Sequence, residues 1–561
     1  MKCLIIIVRF QRLLAGDTEA ERANFNYNVP IGLAYISAVL KNDNHSVMFL
    51  NLNHLDGTVD ELIKNEIANN NYQIVITGGL SPFFPQVKTV VESVRRHAGN
   101  VKIILGGGLI SSQPEIMFRL LEPDFGVIGE GEETIIELLD CIKNNNDPGT
   151  VDGIIYHDSE NAVKITNTRK PIKDLDQLPW PDYDGMGFLE YLDHMRPSDN
   201  LFLDVVDNPR GYVMVSSRSC PFLCTFCYHP IGNKYRQRSV RNIIEEIKYS
   251  VKKYNVNIII FYDELLTQDK NRLSELCRNI KEFSSTLPFK LKWMCQMRVD
   301  GLDENIVQEM KDAGCYFFSL GLESYSATVL KSMKKKITPE QIDNALRICK
   351  RAGMAVQGNF IFGDLAETKE TYQETLNYWK NNQDLIRGSV SLMHIILYQG
   401  SYIYKNAVER GIIKDEVQFI EERAKEDFPA PINFTVGMTD EEYQQMINDL
   451  IEAYGIPRYY TNLISNIQTD DRYEIKVCCP FCKEILEYKN YHYPPNFTRI
   501  EITCRKCGSR FVIPGKGLKL KIFIVKLFGY KIPYRFGKWI YYLSDHLPNY
   551  LKIKIKKALA Q

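Results

Sequence analysis

The chain has 561 residues, with 69 Lys+Arg balanced by 69 Asp+Glu, 45% hydrophobic and 25% charged residues. That composition excludes a disordered, collagen-like or polytopic membrane chain, and the length allows three or four domains at roughly 150 residues each. No run reaches the roughly 18 uncharged apolar residues of a spanning helix. The opening MKCLIIIVRF is short for a signal peptide and no small-residue cleavage site follows, so a cytoplasmic location is expected. Thiols stay reduced there, so clusters among the 14 cysteines read as metal sites rather than disulfides.

Residues 1–145 alternate short apolar runs with amphipathic stretches. Leu4–Val8, Val47–Leu50, Ile74–Thr77, Lys102–Leu105 and Phe125–Ile128 read as buried parallel strands, with helices such as Pro30–Leu40 and Pro85–His97 between them. This predicts a doubly wound, Rossmann-like α/β sheet. Glycines fall where strands end: Gly78-Gly79, Gly106-Gly107-Gly108, and Gly129-Glu130-Gly131-Glu132. Each could be a tight turn. Three on one edge, where helix N-termini and bare backbone face a crevice, predict a ligand site. No GxGxxG follows the first strand, which argues against a nicotinamide or flavin dinucleotide.

The segments Pro30-Ile31-Gly32-Leu33-Ala34-Tyr35, Gly106–Gly108 and Gly129–Thr134 resemble the cobalamin-binding domain that precedes a class of radical enzymes. The resemblance implies that Gly78, Gly79, Gly106, Gly107, Gly108, Gly129, Glu130 and Gly131 contact cobalamin. His54 and Gly57 mimic part of a DxHxxG motif whose histidine ligates cobalt elsewhere. His54 follows the second strand rather than the first, and Leu52 stands in the Asp position, so His54 reads as a loop residue. Residues 146–205 read as a linker, since the prolines of Leu178-Pro179-Trp180-Pro181 block a helix or a central strand.

The sharpest signal is Ser219-Cys220-Pro221-Phe222-Leu223-Cys224-Thr225-Phe226-Cys227. Three thiolates spaced CxxxCxxC suit an iron–sulfur cluster with one iron left open; a zinc site or chance spacing are the other readings. The preceding apolar strand Tyr212–Ser216 and the aromatics Phe226 and Tyr228 make this resemble the radical S-adenosylmethionine superfamily. Downstream, Asn257–Tyr262, Phe289–Met294, Tyr316–Leu320, Ala355–Phe362 and Ser389–Leu397 read as further strands, so residues 206–405 predict a partial (βα)6 barrel with chemistry at the strands' C-terminal ends. Polar residues stand there: Asp263-Glu264, Arg298, Glu323-Ser324, Asp364 and Glu367. Each carboxylate could instead be a solvated loop residue. The resemblance implies that Asp263 and Glu264 hold the methionine amine side, Glu323 and Ser324 the ribose, and Phe226 the cofactor. Arg298 is a carboxylate partner by its guanidinium geometry. Gln399 stands where the family usually has proline.

Residues 406–473 read as a charged helical segment. Cys479-Pro480-Phe481-Cys482 and Cys504-Arg505-Lys506-Cys507 then form two CxxC knuckles, a zinc-ribbon-like module over 474–513 with Cys478 as a spare; a second iron–sulfur cluster is the minority reading. Its strands carry few basic residues, so nucleic-acid binding is not expected. From Gly515 to Gln561 eleven lysines and arginines face a single acid, Asp545, and alternate with aromatic and aliphatic residues. That tail suits an anionic membrane surface or equally a helical pair packed on the acidic remainder of the chain.

The resemblance implies an enzyme that reductively cleaves S-adenosylmethionine at a [4Fe-4S] cluster to a 5′-deoxyadenosyl radical. It would draw electrons from a flavodoxin or ferredoxin and methylate an unactivated centre of a small-molecule or lipid substrate with cobalamin's help. Cyclisation, oxidation or rearrangement is the enzymatic alternative. A cofactor sensor or nucleic-acid-binding protein using the ribbon is the other.

Overall fold

The computed structural model describes residues 1–10, 25, 27–198, 200–266, 268–424, 430–455, 457–469, 472–493, 499–520 and 522. The first sheet contains β1 (Lys2–Ile7), β2 (Ser46–Asn51), β3 (Ile74–Gly78), β4 (Lys102–Gly106), β5 (Phe125–Val127), β6 (Ile154–His157) and β7 (Val163–Ile165), in the order β2-β1-β3-β4-β5-β6-β7. The first five strands are parallel and the last two antiparallel. Alternate residues of β1 serve two apolar layers, Leu4 and Ile6 on one face and Cys3 and Ile5 on the other. Burial on both faces is why this strand reads as an unbroken apolar run. Part of the expected linker is sheet: β6 and β7 form an antiparallel hairpin that extends the first domain because β6 pairs with the distant β5.

The second sheet holds β8 (Gly211–Met214), β11 (Ile258–Phe261), β12 (Lys292–Met297), β13 (Cys315–Glu323), β14 (Val356–Phe362) and β15 (Ser389–His394) in the order β15-β14-β13-β12-β11-β8. All neighbours are parallel, so six βα units form an open barrel, as the strand alternation predicts. Between β8 and β11 a two-residue ladder, β9 (Ser217–Arg218) with β10 (Arg236–Gln237), closes the base of the cysteine loop. Tyr212 and Met214 of β8 join the main outer core, whereas Val213, Ile258 and Ile260 pack with Leu203 on the other face.

After the barrel, helices Tyr402–Glu409, Glu416–Arg423 and Asp440–Gly455 follow, and Ile420 of the second packs into the first domain's core. The last module comprises β16 (Leu463–Thr469), β17 (Arg472–Cys478) and β18 (Ile485–Tyr491) in one antiparallel sheet, with β19 (Arg499–Thr503) and β20 (Arg510–Pro514) in another. It is not a free appendage. Asp204, fully buried just ahead of β8, accepts from the Thr503 amide and hydroxyl, and Arg505 pairs with Asp207 at 2.8 Å. Ser389, the first residue of β15, donates to Glu501 at 3.1 Å, which places the module under the N-terminal ends of the barrel strands. The six scattered cysteines (Cys3, Cys141, Cys277, Cys295, Cys315, Cys349) are all buried among apolar neighbours. Most of the basic tail, residues 521 and 523–561, lies outside the described residues. Among the described residues no helix is long and apolar enough to cross a membrane.

Candidate active site

A cavity of about 560 Å³ lies at the C-terminal edge of the first sheet, lined mostly by apolar groups. Glycines from all three predicted loops border it: Gly78, Gly79, Gly106, Gly107, Gly108, Gly129 and Gly131. Its far wall belongs to the second domain and includes Ser219, Pro230, Ile231, Tyr262 and Glu264, which flank the cysteine loop and end β11. One cavity thus touches both predicted cofactor regions.

The glycines permit this in two ways. At Gly107 (φ +85°) a Cβ would stand 2.7 Å from the Gly79 carbonyl oxygen, so the two loops approach this closely only because residue 107 lacks a side chain. At Gly129 (φ +83°) a Cβ would project into open space, and so it would at Gly32, which also lines the cavity. A smooth apolar cradle that side chains would fill fits a large flat cofactor such as a corrin. His54 is not part of it. Its Nε2 meets the Tyr27 hydroxyl at 2.8 Å and its Nδ1 lies 3.4 Å from Glu190.

The three cysteines sit on the loop between β9 and β10, Cys224 buried and the other two half-buried. The Cys227 amide donates to the Cys224 carbonyl at 3.1 Å, and the Thr225 amide to the Met333 carbonyl at 3.0 Å, which pins the loop to the end of the helix Ala327–Ser332 that follows β13. The Cys224 thiol is pulled down to about 6 by its hydrogen bond with Cys227, against burial, with Lys335 and Arg298 adding in the same direction. The same hydrogen bond raises the Cys227 thiol and burial raises that of Cys220, so of the three only Cys224 is drawn toward thiolate. The three thiols are not drawn within 4.8 Å of one another. Phe226 packs into the apolar cluster around Val329, Met333, Ile395 and Leu397.

Several side chains expected to reach S-adenosylmethionine are already engaged. Asp263 is buried and accepts from the Ser216 amide and hydroxyl (3.0 and 2.8 Å) and from the Ser217 hydroxyl, so its carboxylate braces the strand before the cysteine loop. Glu323, held at φ +60°, bonds the buried Lys335 ammonium at 2.6 Å. A Cβ at Gly321 would stand 2.3 Å from Glu323 Oε1, so a side chain there would displace the carboxylate from its place beside Lys335. Ser324 shares its hydroxyl with Thr375 at 2.9 Å. Arg298 chelates Asp300, donates to the Lys335 carbonyl and stacks 3.6 Å over Phe222 of the cysteine loop. Glu264 is more open: it lines the cavity with its carboxylate 3.4 Å from His229 Nδ1.

The sequence reading missed Lys335, hidden in a Lys334-Lys335-Lys336 run that looks like a solvated face, and missed His229. It gave no role to Arg218 or Arg236, which bind the Glu130 carboxylate at 2.8 and 2.7 Å across the domain boundary. Glu130 lines the cavity, but its carboxylate is turned to those arginines rather than left for a ligand.

At the opposite end of the barrel Cys479, Cys482, Cys504 and Cys507 bring their sulfurs within 4.8 Å of one another, the spacing of a single-ion shell. Cys478 stays outside and turns its thiol to the carbonyls of Cys479 and Lys483.

A doubly wound glycine-edged domain facing a six-unit open barrel with a three-cysteine loop is the architecture of a cobalamin-binding radical enzyme. The radical SAM superfamily matches residues 214–378 and the B12 binding domain residues 25–139. An uncharacterized methyltransferase from Pyrococcus horikoshii is 30% identical over 359 residues, 63% of this chain and 73% of that protein. An anaerobic magnesium-protoporphyrin IX monomethyl ester cyclase from Rubrivivax gelatinosus is 27% identical, over 62% of this chain and 61% of its own length. Among solved structures, the radical S-adenosylmethionine methyltransferase TsrM from Kitasatospora setae, with cobalamin and a [4Fe-4S] cluster bound, shares the fold. Its TM-score is 0.57 at 16% identity, over 73% of this chain and 74% of that one. The chain belongs to the radical SAM superfamily, in the group that carries a B12-binding domain. It is an enzyme of that superfamily, and its cofactors are a [4Fe-4S] cluster, S-adenosylmethionine and cobalamin.

Proposed function

We propose that the protein is a cobalamin-dependent radical S-adenosylmethionine methyltransferase acting on a small-molecule or lipid substrate. The observation that carries this reading is the single apolar cavity shared by the glycine edge of the first domain and the residues flanking the cysteine loop. When bound, the cluster and S-adenosylmethionine supply hydrogen abstraction and cobalamin a transferable methyl group.

Cys220, Cys224 and Cys227 are assigned as cluster ligands, and Gly78, Gly79, Gly106–Gly108, Gly129 and Gly131 as the backbone cradle of the corrin. Glu264 is assigned to the methionine amine, and the Arg298–Lys335 pair supplies positive charge beside Cys224. Asp263, Glu323 and Ser324 act one step back, fixing the loops that present these groups. The apolar walls formed by Ile31, Leu33, Ile76 and Val215 exclude water from the space between the domains. Cys479, Cys482, Cys504 and Cys507 are assigned to one structural Zn²⁺, their four sulfurs leaving no open position. A low-potential flavodoxin or ferredoxin is the reductant, and the basic tail is a contact for an anionic membrane, on the strength of its charge.

Reduced, cobalamin-loaded enzyme turning over S-adenosylmethionine and a cell extract of small molecules and lipids should yield S-adenosylhomocysteine alongside 5′-deoxyadenosine. 5′-Deoxyadenosine with no homocysteine product would overturn methylation in favour of cyclisation or rearrangement.

A further inference from the structure

The loop that carries Cys220, Cys224 and Cys227 leaves the barrel through a narrow neck, the β9–β10 ladder, in which Arg218 and Arg236 are direct cross-strand partners. Two like charges opposite each other on a ladder repel. Here both are also buried, their side chains only 11% and 6% exposed, where an uncompensated pair of guanidinium groups would force the strands apart. The compensation comes from the other domain. Glu130 bonds Arg218 with Oε1 at 2.8 Å and Arg236 with Oε2 at 2.7 Å, so one carboxylate bridges the two strands. Oε2 also accepts the Ile172 amide at 2.8 Å, and Arg236 donates to the Ile172 carbonyl at 2.7 Å. Glu132 takes the second nitrogen of Arg218, and the same guanidinium lies 5.2 Å over the Tyr35 ring of the first domain. Arg236 also reaches the hydroxyl of Ser219, the residue before Cys220, at 3.3 Å.

We propose that Glu130, a residue of the cobalamin domain, is a positioning residue for the iron–sulfur cluster: it closes the neck of the cysteine loop by bridging Arg218 and Arg236. The inference rests on the reading of Cys220, Cys224 and Cys227 as cluster ligands. It makes the cluster loop a structure of two domains, although its ligands come from one. Burial raises the Glu130 carboxyl, but the Arg236 bond and the Arg218 charge outweigh it and hold the group below its ordinary value, so the bridge is ionised at neutral pH.

The arrangement predicts an unusual rescue. Glu130→Gln leaves two buried arginines facing each other with only Glu132 to balance them, and iron and sulfide bound per reconstituted full-length chain should fall about tenfold, as when the outer support of metal ligands is lost. Adding Arg236→Gln removes one of the repelling charges while Arg218 keeps Glu132. The double variant should therefore regain most of the iron and the electron paramagnetic spectrum of the reduced cluster. A Cys224→Ala control reports on the ligand reading separately, since its iron loss is not restored by Arg236→Gln. Glu130→Gln with wild-type iron and an unaltered spectrum would overturn the proposal. So would a double variant no better than the single one, including the case in which the single variant is insoluble and the second change fails to restore soluble, iron-bearing protein.

Discussion

The two cysteine sites of this chain stand at opposite ends of one barrel and differ in how they are built. The upper set has three thiols on a single loop that are not gathered within 4.8 Å, borders the cavity through Ser219, and is flanked by Lys335 and Arg298. The lower set has four thiols within 4.8 Å, donated by two hairpins, and lies beneath the strands' N-terminal ends where Asp204 and Asp207 anchor it. An open set next to a cavity suits chemistry; a closed set remote from it suits structure. Under the proposed assignments, similar CxxC spacings would serve different ends because the number of ligands and the neighbouring charge differ.

Breaking the upper site should have the largest effect. Alanine at Cys220, Cys224 or Cys227 should abolish the brown iron–sulfur chromophore and all S-adenosylmethionine cleavage; cleavage surviving a triple variant would contradict the cluster assignment. The lower site should behave oppositely. Cys482→Ser/Cys507→Ser should lose about one zinc per chain while iron and cleavage persist. Because the ribbon is docked under the barrel, the melting temperature of the whole chain should also drop by several degrees. Asp204→Ala should reproduce part of that loss of stability with the zinc still bound, at about 2 kcal/mol, since it removes the acceptor of the buried Thr503 amide and hydroxyl and one of the two carboxylates beside Arg510. Metal analysis showing extra iron and no zinc would turn the lower site into a second cluster. The smallest effect concerns the tail: removing Gly515–Gln561 should leave cofactor chemistry intact and weaken sedimentation with anionic vesicles, less so as salt rises. Equal sedimentation of both chains at low salt would count against membrane contact.

The sequence by itself determined the order of the chain: the βα alternation of both large domains, the glycine edge, the cysteine loop and the two knuckles. These are local patterns, set by strand and helix periodicity and by ligand spacing within a few residues, so they survive without coordinates. Tertiary structure decided what each charged side chain does. Asp263, Glu323 and Ser324 occupy the expected strand ends, yet their partners, Ser216, Lys335 and Thr375, come from elsewhere in the chain, and only folding shows that these groups are engaged among themselves. Glu130 lies 106 residues from Arg236, and Asp204 lies 299 from Thr503. Nothing in the spacing of such pairs marks them. A buried carboxylate finds its cation through the packing of whole domains, and that packing is what joins the glycine edge to the cysteine loop.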